Sequence, residues 1–428
     1  MQDLKGKRLL VLGGAFQHCK LVEAAHELGV YVIVDDYLTV ERAPAKQMAD
    51  KYYMHNITEI DQIVEMCRTE GVDGVLATSL DACQKPYQRV CEKLHFPCFG
   101  TAEQYNIMTD KRLFKEYCRR GGVDIITEYE ENAFDTSEEC KARVEFPVLI
   151  KPRESRGSRG QSVCYNYEEA LEGIRFAKSE SMSNGVIIEK YMGQTNDFAV
   201  TFLVLNGNVI PFRTVDRILG NKEDGLDKLA VGAVMPSVFT NLYLEKVHQK
   251  VERFVKNIGI KNAPMFFQGF VDGDAIRFYD PGLRLPGGEY ERMFRYVTNK
   301  NIFYPLIEYA LTGQVSEDSL MLSSDDVWLN EKIAVQVLPT LKEGTIACID
   351  GLDRIRRHPK VVSVFEKYSE GDVVSETHNV NQRFCEIDLV CDDKNEAVQL
   401  IEWVYSSLKI SDVNGEDMIV SRFDPNVI

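Results

Sequence analysis

Val148-Leu149-Ile150-Lys151-Pro152-Arg153-Glu154-Ser155-Arg156-Gly157-Ser158-Arg159-Gly160 joins an apolar run to a segment rich in glycine, serine and arginine. Residues 146–150 predict a buried strand, and Lys151 stands at its end. Arg153, Arg156 and Arg159 face a single acid, Glu154, and make a positive island in a chain of formal net charge −16. Amides freed by Gly157 and Gly160 can cradle phosphate oxygens while Lys151 supplies a point charge. Taken alone, the stretch reads equally well as a solvated surface loop.

Upstream, short apolar strands at residues 8–12, 31–34, 52 and 74–77 alternate with helical patterns over 20–28, 60–67 and 84–94. That alternation predicts a parallel, doubly wound sheet. Residues 111–120 predict a further helix. Downstream, the strand 186–188 ends in Glu189. Two β-hairpins follow, over 198–210 with a turn at Asn206-Gly207, and over 266–279 with a turn near Asp272-Gly273. A helix over 243–258 lies between them, and from about residue 330 short strands and turns precede a helix over 395–408. The expected organisation is α/β in three domains: 1–104 doubly wound, 105–312 two-lobed with one subdomain at about 110–190, and 313–428 small and terminal. No internal repeat or low-complexity tract is present.

Composition narrows the function. Hydrophobic residues make up 44% and charged residues 27% of the 428, as in ordinary globular proteins. No apolar run approaches the ~18 residues needed to span a bilayer, and no secretory h-region follows Met1. A cytoplasmic setting is expected. The eleven cysteines form no CxxC motif and no zinc-spaced cluster, which suits reduced thiols. The acidic balance, with a pI near 5.1, argues against nucleic acid or an anionic membrane as partner. The seven histidines are dispersed, and none is given a role. Gly13-Gly14 lacks the full G-x-G-x-x-G of a dinucleotide site, which counts against an NAD-dependent oxidoreductase.

Other candidates are weak singly. Lys111, in Thr109-Asp110-Lys111, reads alone as a surface lysine. Glu189, at a strand end before Lys190, Tyr191 and Met192, can accept from an adenine amino group, or be an exposed strand end. Gln268 and Asp280 lie on the two arms of the second hairpin. With a two-residue turn at Asp272-Gly273, Gln268 pairs with Arg277 and Asp280 points to the opposite face. Joint metal binding therefore requires an odd loop or a bulge.

In order, these signals resemble the ATP-grasp superfamily, over roughly residues 1–310. Residues 12–29 resemble the opening of its biotin-carboxylase-type N-terminal domain. Lys111 and Lys151 are similar to its two phosphate-contacting basic positions, and residues 155–160 to its glycine-rich lid. Glu189 to Met192 are similar to its adenine-binding linker, and Asp197 falls where a ribose-binding Glu is usual. Gln268, Asp280 and Arg284 fall on its metal-and-arginine motif. Residues 330–428 resemble the small C-terminal domain of carboxylase-type and amino-acid-ligase members, with carbamoyl-phosphate-synthase large-subunit-like proteins and L-amino-acid ligases nearest in appearance. Where the family commonly reads E-x-N-x-R, this chain reads Asp280-Pro281-Gly282-Leu283-Arg284. The missing Asn ligand leaves open one tightly held Mg²⁺, a water-filled position or a decayed site.

The resemblance implies a Mg²⁺- and ATP-dependent ligase, with Mn²⁺ an acceptable substitute, that activates a small carboxylate as an acylphosphate and joins it to an amine. In that reading Lys111 and Lys151 hold α/β-phosphates, and Ser155, Arg156, Gly157, Ser158 and Gly160 close over the β/γ-phosphates. Glu189, Lys190, Tyr191 and Met192 read adenine, and Asp197 reads the ribose. Gln268 and Asp280 hold the metal, while Arg284 and Lys151 serve the transferring phosphoryl group. Arg213 and Arg217, after the first hairpin, join Arg284 as candidates for a substrate carboxylate. Carbonate or carbamate phosphorylation and non-catalytic ATP binding are the alternatives. A homodimer is the default assembly.

Overall fold

In the computed structural model the described residues are 2–134, 144–153, 160–181, 183–193, 196–220, 229–317, 322–377 and 380–428. The first unit is a parallel sheet of β1 (Arg8–Leu12), β2 (Tyr31–Asp35), β3 (Lys51–Tyr53) and β4 (Gly74–Leu76), in the order β3-β2-β1-β4. Leu9, Leu10, Val11 and Leu12 are fully buried, as a strand covered by helices on both faces must be. The flanking helices run Cys19–Glu27, Ile60–Glu70 and Asp81–Leu94, so the last two are longer than the sequence patterns indicate. Gly13, after β1, has φ of 112°, and a Cβ there would lie 2.4 Å from the His18 ring. Only glycine fits that turn.

A second unit contains β5 (Glu128–Tyr129), β6 (Val148–Pro152), β7 (Ser162–Cys164) and β8 (Val186–Lys190), ordered β5-β8-β6-β7. The helix Tyr167–Glu180 starts where the Asn166 side chain accepts from the Glu169 amide at 2.9 Å. Its Ala170, Ile174 and Ala177 form a small core with Val148 and Ile150. The two-residue period of β6 turns Lys151 to the face opposite that core.

The largest element is an eight-stranded antiparallel sheet. It contains β9 (Asp197–Leu205), β10 (Asn208–Leu219), β11 (Ala230–Met235), β12 (Ala263–Asp272), β13 (Ala275–Gly282) and β14 (Ile333–Val337). The order is β13-β12-β9-β10-β11-β14, continued by the strands Cys385–Cys391 and Val361–Glu366. The sheet therefore runs without a break across the boundary expected at residue 312. The helices Lys111–Gly121 and His248–Ile258 cover it through Phe114, Phe254 and Phe267, whose rings meet edge to face at 5.2–5.7 Å. The helix expected over 243–258 begins at Thr240 and takes a π-helical turn over Tyr243–Val247. Asn206 and Gly207 turn the first hairpin with φ of 52° and 85°, the geometry of a type I′ turn. Arg213 and Arg217 lie within that hairpin's second arm, which continues to Leu219 rather than ending at residue 210. Every described cysteine is a free thiol.

Candidate active site

The second hairpin decides the site. Its loop is Gly273-Asp274, and Asp272 pairs with Ala275. Pairing then runs Val271 with Ile276, Phe270 with Arg277 and Gly269 with Phe278. That register would set Gln268 opposite Tyr279 and turn Asp280 to the other face. A bulge between Gln268 and Gly269 shifts the register so that Gln268 pairs with Asp280. The two oxygen-bearing side chains now share one face, which meets the geometric condition posed by the sequence.

Lys111, the first residue of its helix, places Nζ 3.8 Å from Asp280 Oδ1. Burial raises the Asp280 pKa above its ordinary value, against the opposing pull of Lys111 and Arg284. Arg284 is held bidentately: Nε and Nη2 donate to the Asp81 carboxylate at 2.6 and 2.8 Å, and Nη1 donates to the Leu285 carbonyl at 2.8 Å. Its guanidinium sits 4.9 Å from the centroid of the Phe266 ring. That ring also explains Gly282, because a Cβ there would come within 2.0 Å of it. The missing Asn position is thus filled by an aromatic ring.

Glu189 is buried and accepts from two ammonium groups, Lys115 and Lys151, the latter at 2.5 Å. Burial pushes its pKa up, and the two lysines more than reverse this, holding it below its ordinary value. Lys115 also donates to Glu128 at 2.6 Å. The Lys190 and Tyr191 amides donate to the Thr127 and Pro147 carbonyls at 2.9 Å each, and Met192 is buried. Asp197 is buried and accepts from Arg217 Nη1 at 2.7 Å and from the Tyr279 hydroxyl at 3.5 Å. Burial raises its pKa despite Arg217. Arg217 is therefore committed to an internal partner. Arg213 is not: Nη1 donates to Thr201 Oγ1 at 3.4 Å, Nε points at Met235 Sδ at 3.2 Å, and the guanidinium lies over the Tyr290 ring. Gly160 has φ of 77° and no room for a side chain against Pro152. Ser155, Arg156, Gly157 and Ser158 lie outside the described residues.

Arg213, Arg217 and Gln268 line a cavity of about 520 Å³ closed on its far side by Gln336, Arg383 and Glu386. Sequence reading missed these last three, and Lys115. Lys115 had a signal, one helical turn beyond Lys111. Glu386 and Asp388 had another, in the strict alternation of Cys385-Glu386-Ile387-Asp388-Leu389. Glu386 accepts from the Glu289 amide at 2.6 Å and from Gln336 Nε2 at 2.7 Å. Arg383 had no signal, because only the fold brings it to β11.

The description "Carbamoyl-phosphate synthase L chain, ATP binding domain" matches residues 110–268, and "L-amino acid ligase C-terminal domain 2" matches residues 337–412. The 2-oxoglutarate carboxylase small subunit of Hydrogenobacter thermophilus is 25% identical over 241 residues, 52% of this chain and 51% of that protein. The chain thus spans about half the length of that curated relative. The biotin carboxylase domain of the H. thermophilus 2-oxoglutarate carboxylase, solved as a dimer with MgADP, ADP and bicarbonate, superposes with a TM-score of 0.72 at 19% identity, over 95% of this chain and 90% of that one. The L-amino acid ligase of Bacillus licheniformis superposes with a TM-score of 0.72 at 17% identity, over 95% and 99%. The chain has the ATP-grasp fold, with residues 110–268 similar to the ATP-binding domain described for the carbamoyl-phosphate synthase L chain and residues 337–412 similar to the second C-terminal domain described for L-amino acid ligases.

Proposed function

We propose that the chain is a Mg²⁺- and ATP-dependent ligase that activates a small-molecule carboxylate as an acylphosphate and joins it to an amine. The bulge that sets Gln268 opposite Asp280, beside Lys111, carries the reading. Two oxygen-bearing side chains suit Mg²⁺, which keeps its other positions for phosphate oxygens and water. Among the described residues no group of three or more His, Cys, Asp or Glu could hold a metal. That suits a cation shared with a nucleotide rather than caged by protein. Bound Mg²⁺ supplies charge neutralisation at the phosphoryl oxygens, and Mn²⁺ takes the same donors.

The chain's own residues do the rest. Lys111 and Lys151 are assigned to the phosphates, and Glu189 orients Lys151 through their ion pair. Residues 155–160 are assigned the cover that excludes water. Glu189, Lys190, Tyr191 and Met192 are assigned to adenine, and Asp197 to the ribose. Arg284, fixed by Asp81 and the Phe266 ring, is assigned to the transferring phosphoryl group. Arg213, buried and without an acidic partner among the described residues, is assigned to the carboxylate. A homodimer working in the cytoplasm belongs to the same proposal. No helix among the described residues is long and apolar enough to cross a membrane.

The test is Mg²⁺-dependent ADP release against a panel of carboxylic acids, amino acids and bicarbonate. We expect a carboxylate with an amine to stimulate release, and Asp280→Ala to cut it at least ~100-fold, since several kcal/mol of charge stabilisation would go. Stimulation by bicarbonate alone would move the reaction to carbonate phosphorylation. ATP binding without release under any condition would leave a nucleotide-binding protein.

A further inference from the structure

The cavity holds more positive charge than its walls balance. Arg213, Arg217, Arg383 and Lys367 all line it. Arg217 is neutralised by Asp197. The other three have no acid within ion-pair distance among the described residues. Arg383 donates from Nη2 to the Ala230 carbonyl at 3.3 Å, and its buried Nε has no partner. Lys367, at the mouth, donates to the Val380 carbonyl at 2.9 Å and to Asn381 Oδ1 at 3.3 Å. On the acidic side, Glu289 is taken by Lys20 and Arg292, and Glu366 by Arg356. That leaves Glu386 to face three cations. Burial pushes the Glu386 pKa up, towards the neutral form, which lessens its power to balance them. Burial also lowers the pKa of Arg213 and Arg383, and partial desolvation at the mouth, with Arg383 nearby, lowers that of Lys367. A buried, uncompensated charge costs several kcal/mol, and a ligand of opposite charge recovers that cost.

The cations also lie at two distances from the reaction centre. Gln268 is on β12, Arg213 on β10, and Arg383 bonds to β11, three strands from β12 in the order β12-β9-β10-β11. Three strand spacings are about 14 Å. A reacting carboxylate beside Gln268 and Asp280 therefore leaves Arg383 beyond it, with the length of a short carbon chain between, and Lys367 lies near enough to Arg383 to feel its charge.

We propose that the activated substrate is a small dicarboxylate, its reacting carboxylate at the Gln268–Asp280 end and its second carboxylate paired with Arg383 and Lys367. The inference rests on the ligase reading and names the substrate class of that site. Glutarate and glutamate serve as probes, with pentanoate and glutamine as partners lacking the second charge. A charged hydrogen bond contributes about 1.5–3 kcal/mol, so kcat/KM for ADP release should favour the dicarboxylate by roughly 10- to 150-fold. In Arg383→Gln that ratio should fall towards one, and Lys367→Gln, at an exposed position, should lower it without endangering folding. Equal use of both acids by the unaltered protein would overturn the proposal while leaving the ligase intact. Should no acid stimulate release, binding decides. A thermal shift with glutarate but not pentanoate would support the dicarboxylate pocket without the ligase, and equal shifts would overturn it.

Discussion

Single residues show how the chain pays for burying charge. Glu189 lies between two lysines, and Asp197 against Arg217, so the groups with assigned nucleotide roles already have partners. Their positions are fixed before any ligand arrives, which is what preorganised electrostatics requires. His18 is the contrasting case. It is fully buried behind Gly13, its Nε2 has no hydrogen-bond partner, and burial lowers its pKa to about 4 from 6.5. The unfolded chain protonates this ring at a higher pH than the folded one. The stability it contributes is therefore present above pH 6.5 and is lost as pH falls through about 4. The loss amounts to about 3 kcal/mol. His18→Gln, neutral throughout, should flatten the acid limb of stability in that window, read as the denaturation midpoint at pH 7 and pH 4.5. Equal pH slopes in the two proteins would remove His18 as the cause.

At the scale of an element, the hairpin β12–β13 is where sequence reading and structure part by one residue. Asp272-Gly273 suggests a loop with glycine second, but glycine comes first, with φ of 61°, as in a type II′ turn. The bulge then restores the face. Turn chemistry was legible because it is local, as at Asn206-Gly207. The bulge was not, because it depends on close approach between strands. That approach is visible at Gly269, where a Cβ would lie 2.7 Å from the Arg277 carbonyl oxygen. Gly269→Ala should cost about 1–3 kcal/mol and move Asp280 away from Gln268. The check is thermal unfolding together with Mn²⁺ binding in the presence of a non-hydrolysable ATP analogue. Gly282→Asn, which restores the family's usual ligand type, should not raise Mn²⁺ stoichiometry, because its side chain runs into Phe266. A stable Gly282→Asn protein with one more bound Mn²⁺ would show that the ring yields.

For the whole molecule, the order of strands and helices and the charged residues they carry was legible, because each rests on local spacing: Lys151 and Glu189 after apolar runs, although both lie one residue inside their strands rather than at the ends, and Lys111 after a capping Asp110. What sequence could not disclose is what the continuous sheet brings together. Arg383 meets β11 only because β14 and the strand Cys385–Cys391 extend the sheet that carries Gln268 and Asp280. Residues 313–428 therefore complete both the cavity and the core. Val231 and Val234 of β11 belong to the same hydrophobic cluster as Val335, Ile387 and Ile401. A fragment ending at residue 312 would lose those partners and present Ala230–Met235, an apolar six-residue strand, as a bare edge. We expect fragment 1–312 to aggregate on expression, whereas the full chain stays monodisperse or dimeric in size-exclusion chromatography. A soluble, cooperatively unfolding fragment would mean that the two halves of the sheet fold independently. The cavity would then be an interface between separable units, and the Arg383 pairing would depend on their docking.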